Sequence, residues 1–134
     1  MFGINVGKIL VIGACQLREH TLHIVACEYG MKVKDFKFIE YSKVTNYDFS
    51  KLLNTNKYTD IFVGAVPHSA KGIAGYNSPL DFLEAHENEL PRVQYLRRDN
   101  QQLGLTKANF EKAIAKSDKF EMETFYEDKL GLLC

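Results

Sequence analysis

The sequence predicts an α/β fold: a three-layer Rossmann-like or flavodoxin-like sandwich with a mostly parallel sheet of four or five strands. Two observations predict it. The runs KILVIGA and TDIFVGAV are too continuously apolar for strands with one wet face, and suit strands covered by helices on both faces. Segments of helical character fall between such runs, and that alternation argues for parallel pairing through right-handed crossovers. The 134 residues suffice for one domain, 1–134, with a single core.

The elements follow in order. KILVIGA, residues 8–14, is the first strand, ended by Gly13. Residues 16–31 have helical character, because Leu22, Val25, Ala26 and Tyr29 recur at helical spacing, and Gly30 marks the end. FKFIEY, residues 36–41, alternates as a second strand. YDFSKLLNTN reads as a short helix, capped by Asn46 or Asp48 and packed through Phe49, Leu52 and Leu53. TDIFVGAV, residues 59–66, is the third strand.

A helix then opens at Ser78, with Pro79 at its first position and Asp81 in its first turn, and runs to about Leu90. RVQYLRR, residues 92–98, is a fourth strand; DNQQ is a turn, and LGL a short returning edge strand. Thr106 caps another helix, through about Lys116, with Phe110, Ala113 and Ile114 inward. In the tail, 118–134, KFEMETFYE fits either an edge strand or a helix. The terminal LGLLC is too apolar to stand in water, so the tail is expected to pack on the domain or on a second subunit.

Composition narrows the function classes. Apolar residues at 46% and charged ones at 25% describe an ordinary globular chain. Seventeen basic residues balance seventeen acidic ones, so no general field draws the chain to nucleic acid or an anionic membrane. No run approaches the ~20 apolar residues of a membrane span. Lys8 interrupts the first apolar stretch, which reads as a strand rather than a secretory signal. Three cysteines without paired spacing, Cys15, Cys27 and Cys134, suit free thiols in the cytoplasm.

In doubly wound sheets ligands bind beyond the carboxyl ends of the strands, where strand order reverses. Two segments fall there. GACQLREH supplies Gly13, a thiol at Cys15 and a guanidinium at Arg18, suited to a phosphate or carboxylate. Its plainer reading is a strand-to-helix turn with a packed cysteine. VGAVPHSAKGIAGYNSP supplies His68, Ser69 and Lys71, with Gly72 and Gly75 letting backbone amides turn toward an oxygen-rich ligand. Here the alternative is a long crossover shaped by Pro67 and its glycines. Tyr76 could stack on a base or a sugar, or cover the core.

Neither G-x-G-x-x-G nor G-x-x-x-x-G-K-[ST] occurs, which argues against dinucleotide binding of the common kind and P-loop hydrolysis. His68 is the candidate catalytic residue, and Cys15 with His68 a conceivable cross-loop pair, but no base–orienter pair or G-x-S-x-G elbow accompanies them. His20, His23 and Cys27 share one helical stripe; without denser ligand spacing this reads as a polar face or subunit contact, and no metal is assigned. Arg92, Arg97 and Arg98 with Tyr95, and Lys107 beyond, form a short basic strip, but Glu87, Glu89 and Asp99 dilute it, against a nucleic-acid partner.

The order of strand, helix and third strand ending in VGAVPHSAKG resembles the DUF2325 group of small bacterial Rossmann-like domains, on Gly13, Val66, His68 and Ala70 over roughly the first 100 residues. The resemblance implies a Rossmann-like fold with a histidine-bearing loop after a strand, and names no reaction. The expectation is therefore a cytoplasmic domain that binds a small anionic ligand, a nucleotide or phosphorylated metabolite, through Gly13, Cys15, Arg18, His68, Ser69, Lys71, Gly72 and Gly75. The alternatives are a homodimeric interaction or regulatory module without a ligand, then a His68-dependent transferase or hydrolase. No cofactor is indicated.

Overall fold

Residues 7–14 and 19–122 are described by the structure, a computed structural model. Strands β1 (Lys8–Ala14), β2 (Phe36–Glu40), β3 (Tyr58–Val63) and β4 (Arg92–Tyr95) form one sheet in the order β2-β1-β3-β4. All three pairings are parallel. The helices are α1 (Glu19–Glu28), α2 (Tyr41–Val44), α3 (Pro79–Ala85) and α4 (Lys107–Ala115). This is the doubly wound α/β sandwich that the alternation predicts.

The apolar strands divide their side chains between two cores. Ile9 and Val11 of β1 with Phe62 of β3 face α1 and α4, where Leu22, Val25, Ala26, Phe110, Ala113 and Ile114 are buried. Leu10 and Ile12 with Ile61 and Val63 face the other way, against Val44 of α2, Phe49, Leu52, and Phe82 and Leu83 of α3. Continuous apolarity is thus period-two alternation with both faces dry. Each fully buried Leu, Ile or Phe contributes roughly 1.5–3 kcal/mol.

Local signals set the helix ends. The Ser78 hydroxyl accepts the Asp81 amide at 3.2 Å, with Pro79 in the first turn. Thr106 and Asn109 form a reciprocal capping box, at 3.1 and 2.8 Å. Gly30 follows α1 with φ +73°. At Asn46 or Asp48 the cap is Asp48, which accepts the Ser50 amide at 3.0 Å and opens a 3₁₀ turn, Phe49–Leu52, rather than an α-helix.

Several boundaries differ from expectation. The third strand ends at Val63, before Pro67, and the fourth at Tyr95, where the chain leaves the sheet. The LGL edge strand reduces to a single antiparallel bridge, Arg97 to Leu103. α3 stops at Ala85 and gives way to a 3₁₀ turn, Glu87–Glu89. The second strand ends at Glu40, and Tyr41 instead opens α2, whose four residues, YSKV, are too few to show a helical period.

Within the tail, residues 118–122 are helical. Phe120 packs edge-on against Tyr29, ring centres 5.5 Å apart, so this portion docks on the domain. The rest of the tail, with LGLLC, lies outside the described residues. A buried carboxylate holds the docked portion. Asp60, on β3 and 0% exposed, accepts the Asp118 and Lys119 amides at 2.9 and 3.1 Å and the Thr59 hydroxyl at 2.7 Å. Ser117 accepts the Phe120 amide at 3.1 Å, so the first three amides of the turn are satisfied. The buried Lys119 ammonium donates to the Gly7 carbonyl at 2.6 Å.

Asp60→Ala strips partners from two backbone amides and is expected to cost about 1–3 kcal/mol in chemical denaturation. Burial raises the Asp60 carboxyl above the ordinary carboxylate range, against the lowering effect of its hydrogen bonds. The native state therefore holds this proton more tightly than the unfolded chain. Its contribution is fully present below the unfolded value and lost as pH rises through the native one. The stability difference between wild type and Asp60→Asn should accordingly shift toward wild type from neutral pH to mild acid.

Candidate functional site

Strand order makes β1 and β3 neighbours, with β2 reached on one side of β1 and β4 on the far side of β3. The reversal point is therefore the carboxyl end of the β1–β3 pair, and the chain following each strand starts from it. Contact there is backbone on backbone. The Gly64 amide donates to the Ile12 carbonyl at 2.8 Å, and the Leu96 amide to the Val63 carbonyl at 2.8 Å. Gly13 has φ +81°, and a Cβ there would overlap the Ala65 carbonyl oxygen. A Cβ on Gly64 would stand 3.2 Å from the Gly13 oxygen. Glycines at these two positions let the two strand ends close on each other.

Of the eight expected site residues, Gly13 is buried in this junction. Cys15 and Arg18 lie outside the described residues, as does the side chain of His20. His68, Ser69, Lys71, Gly72 and Gly75 are exposed on the loop between β3 and α3. His68 and Ser69 make no hydrogen bond to each other among the described residues, so the structure forms no nucleophile–base pair from them.

The loop is not a free crossover. Its middle folds back on the chain between α2 and the 3₁₀ turn, where Lys71 bridges Asp48 and its carbonyl accepts the Phe49 amide at 2.9 Å. A side chain on Gly72 would meet the Asp48 carboxylate and the Phe49 and Ser50 amides. The Asp48 carboxyl is held below its ordinary range by hydrogen bonds from the Ser50 hydroxyl and amide, with smaller contributions from the Lys51 and Lys71 charges. Lys71 and Gly72 are thereby placed over the β2–β3 crossover, while Gly13 meets Ala65. Beyond them Ile73 is buried, with Val66 and Ala70 against the same core.

Tyr76 stands over the start of α3 with one face exposed. Its ring lies edge-on to Phe82 at 5.7 Å and to His86 at 5.4 Å, while keeping a 37% exposed face. His86, which the sequence reading passed over, also contacts Glu89 at 3.2 Å. The only signal for it was position: a histidine at the end of α3, one turn after Phe82.

The arginines of the basic strip differ in their surroundings. Arg97 donates to the Gln101 carbonyl at 2.9 Å, and Arg98 lies over Gly104. Arg92 stands 3.8 Å from Asp118. Asn109 donates to the Arg97 and Gly104 carbonyls at 3.0 and 2.7 Å, closing the turn against α4. A cavity of about 600 Å³ lies beside this turn, lined by Arg97, Arg98, Thr106, Asn109 and Lys112 among others. On α1, His23 Nε2 and Cys27 Sγ are 3.8 Å apart. Among the described residues no three metal-ligating side chains converge, and no helix is long and apolar enough to cross a membrane.

Comparison of the chain with protein-family models, curated proteins and solved structures gives no match.

Gly13→Ala combines a left-handed backbone with a collision and should cost more than the ~1–2 kcal/mol of left-handed strain alone. Gly75→Ala, left-handed (φ +90°) with open space around its Cβ position, should cost only that strain. Denaturation midpoints of the two variants measure the difference.

Proposed function

We propose that this chain is a cytoplasmic domain that binds a small anionic ligand, a nucleotide or phosphorylated metabolite, at the carboxyl edge of its sheet. The observation that carries the reading is the order β2-β1-β3-β4, which sets the carboxyl end of β1 beside that of β3. In parallel sheets of this kind that junction is where ligands enter. On this reading Arg18 and Cys15 of the first segment and His68, Ser69 and Lys71 of the second would hold the ligand. Gly13, Gly72 and Gly75 let the backbone come close. The Lys71 anchor on Asp48 supports it, because a tethered loop loses less entropy on binding than a free one. The exposed free thiol of Cys27 suits a reducing compartment. Kinship with the DUF2325 group, through Gly13, Val66, His68 and Ala70, belongs to the same proposal.

A second reading has its own observation. Ile24, 43% exposed, sits on α1 next to His23 and one turn before Cys27. An uncovered isoleucine on that stripe suits a homodimer contact. Sedimentation equilibrium tests it: a dimer dispersed by Ile24→Glu supports the interface, and a monomer at every concentration overturns it.

For the leading reading, native mass spectrometry of the purified chain should show retained mass over the denatured chain, or a complex with added ATP. Arg18→Ala and Lys71→Ala each remove a charge-assisted contact worth about 1.5–3 kcal/mol, a loss of roughly 10-fold or more in affinity. Unchanged affinity in both variants would sink the proposal.

A further inference from the structure

At the opposite edge of the sheet the starts of β1, β2 and β3 lie side by side around a cavity of about 630 Å³. Its rim carries Lys8, Lys34, Lys37 and Lys57, with one carboxylate, Asp35, among the lining residues. The clustering follows from the register. Lys37 is the pairing partner of Leu10, and Lys8 precedes Leu10 by two residues, so both emerge on the face of the sheet that Leu10 occupies. Lys8 pairs with Tyr58, which brings Lys57 alongside, and Lys34 arrives on the 3₁₀ turn Val33–Asp35 before β2.

All four lysines are exposed, and among the described residues no carboxylate lies within ion-pair distance of any of them. Asp35 is engaged locally, accepting the Lys32 amide at 2.9 Å. The contrast with the carboxyl edge is direct, because there Arg97 is bound to the turn it closes. The base of the cavity is fixed. The Lys8 amide donates to the Lys57 carbonyl at 2.9 Å, and the buried Lys119 ammonium holds the Gly7 carbonyl from behind. A Cβ on Gly7 would stand 2.7 Å from that Lys57 carbonyl, so the floor is packed backbone.

Four ammonium groups facing one concavity repel one another, and a multiply charged anion relieves all four at once. Lysine presents a compact point charge on a long stem and so accommodates phosphates at varied angles. The volume falls within the range of small-molecule sites. A neutral chain lacks the extended positive field that a nucleic-acid backbone needs. We propose that this amino-edge cavity binds a small molecule carrying two or more linked phosphate groups, at a site separate from the carboxyl-edge junction.

Titration calorimetry of the full chain with inorganic tripolyphosphate tests this, at low and at moderate salt. The expected result is one-to-one binding that weakens steeply with salt and falls at least 10-fold in Lys34→Ala/Lys37→Ala. Both lysines are exposed, so the fold should survive, and Lys34→Arg/Lys37→Arg should retain binding. Arg18→Ala/Lys71→Ala should leave it unchanged, which separates this site from the carboxyl-edge one. No binding at millimolar probe, or equal affinity in the Lys34/Lys37 alanine variant, overturns the proposal. Loss in the Arg18/Lys71 variant alone assigns the anion to the other edge. Tighter binding of a single-stranded oligonucleotide than of tripolyphosphate overturns the small-ligand assignment.

Discussion

Strand β1 is hydrogen-bonded along both edges, to β2 and to β3, and covered on both faces, so Ile9, Leu10, Val11 and Ile12 are all fully buried. A strand in that position cannot slip by one residue without moving Leu10 and Ile12 into the space that Ile9 and Val11 fill. Its register sets those of its neighbours. The carboxyl ends of β1 and β3 then meet at Gly13 and Ala65, and their amino ends meet at Lys8 and Tyr58. Both candidate binding regions are consequences of that one alignment, at opposite ends of the same pair of strands.

The fold was legible where a residue type has one local meaning. Ser78 before Pro79 and Asp81, Thr106 ahead of α4, and Gly30 after α1 each satisfy or end a helix by themselves, and each stands where the sequence placed it. The alternation of apolar strands with amphipathic helices gave the layers for the same reason. Strand ends were read too long, because Val66 and Leu96 to Arg98 look strand-like in isolation. Pairing ends sooner, where the chain turns away to pack Val66 against one core and to bury Leu96 in the other.

What escaped the sequence depends on residues far apart along the chain. Asp60 stands at the start of the third strand with no local sign of its role, which appears only when residues 117–119 lie across it. The amino-edge lysines come from positions 8, 34, 37 and 57, and no window of sequence contains them together. Within the loop after β3, composition identified an exposed polar segment but not its fold. That Lys71 would turn back to Asp48 depends on Gly72 fitting against the Phe49 and Ser50 amides.

The capping of residues 118–122 by Asp60 has a consequence for the order of folding. The bonds that Asp118 and Lys119 make with Asp60 span 58 and 59 residues, and the Lys119 bond to Gly7 spans 112. Contacts of such separation require long loops to close before any of them is rewarded, which slows folding. During synthesis the sheet can assemble only with an uncapped carboxylate in its interior, and it becomes fully satisfied when residues 117–119 have emerged. The last stretch of the described chain thus completes a core begun by its first strand.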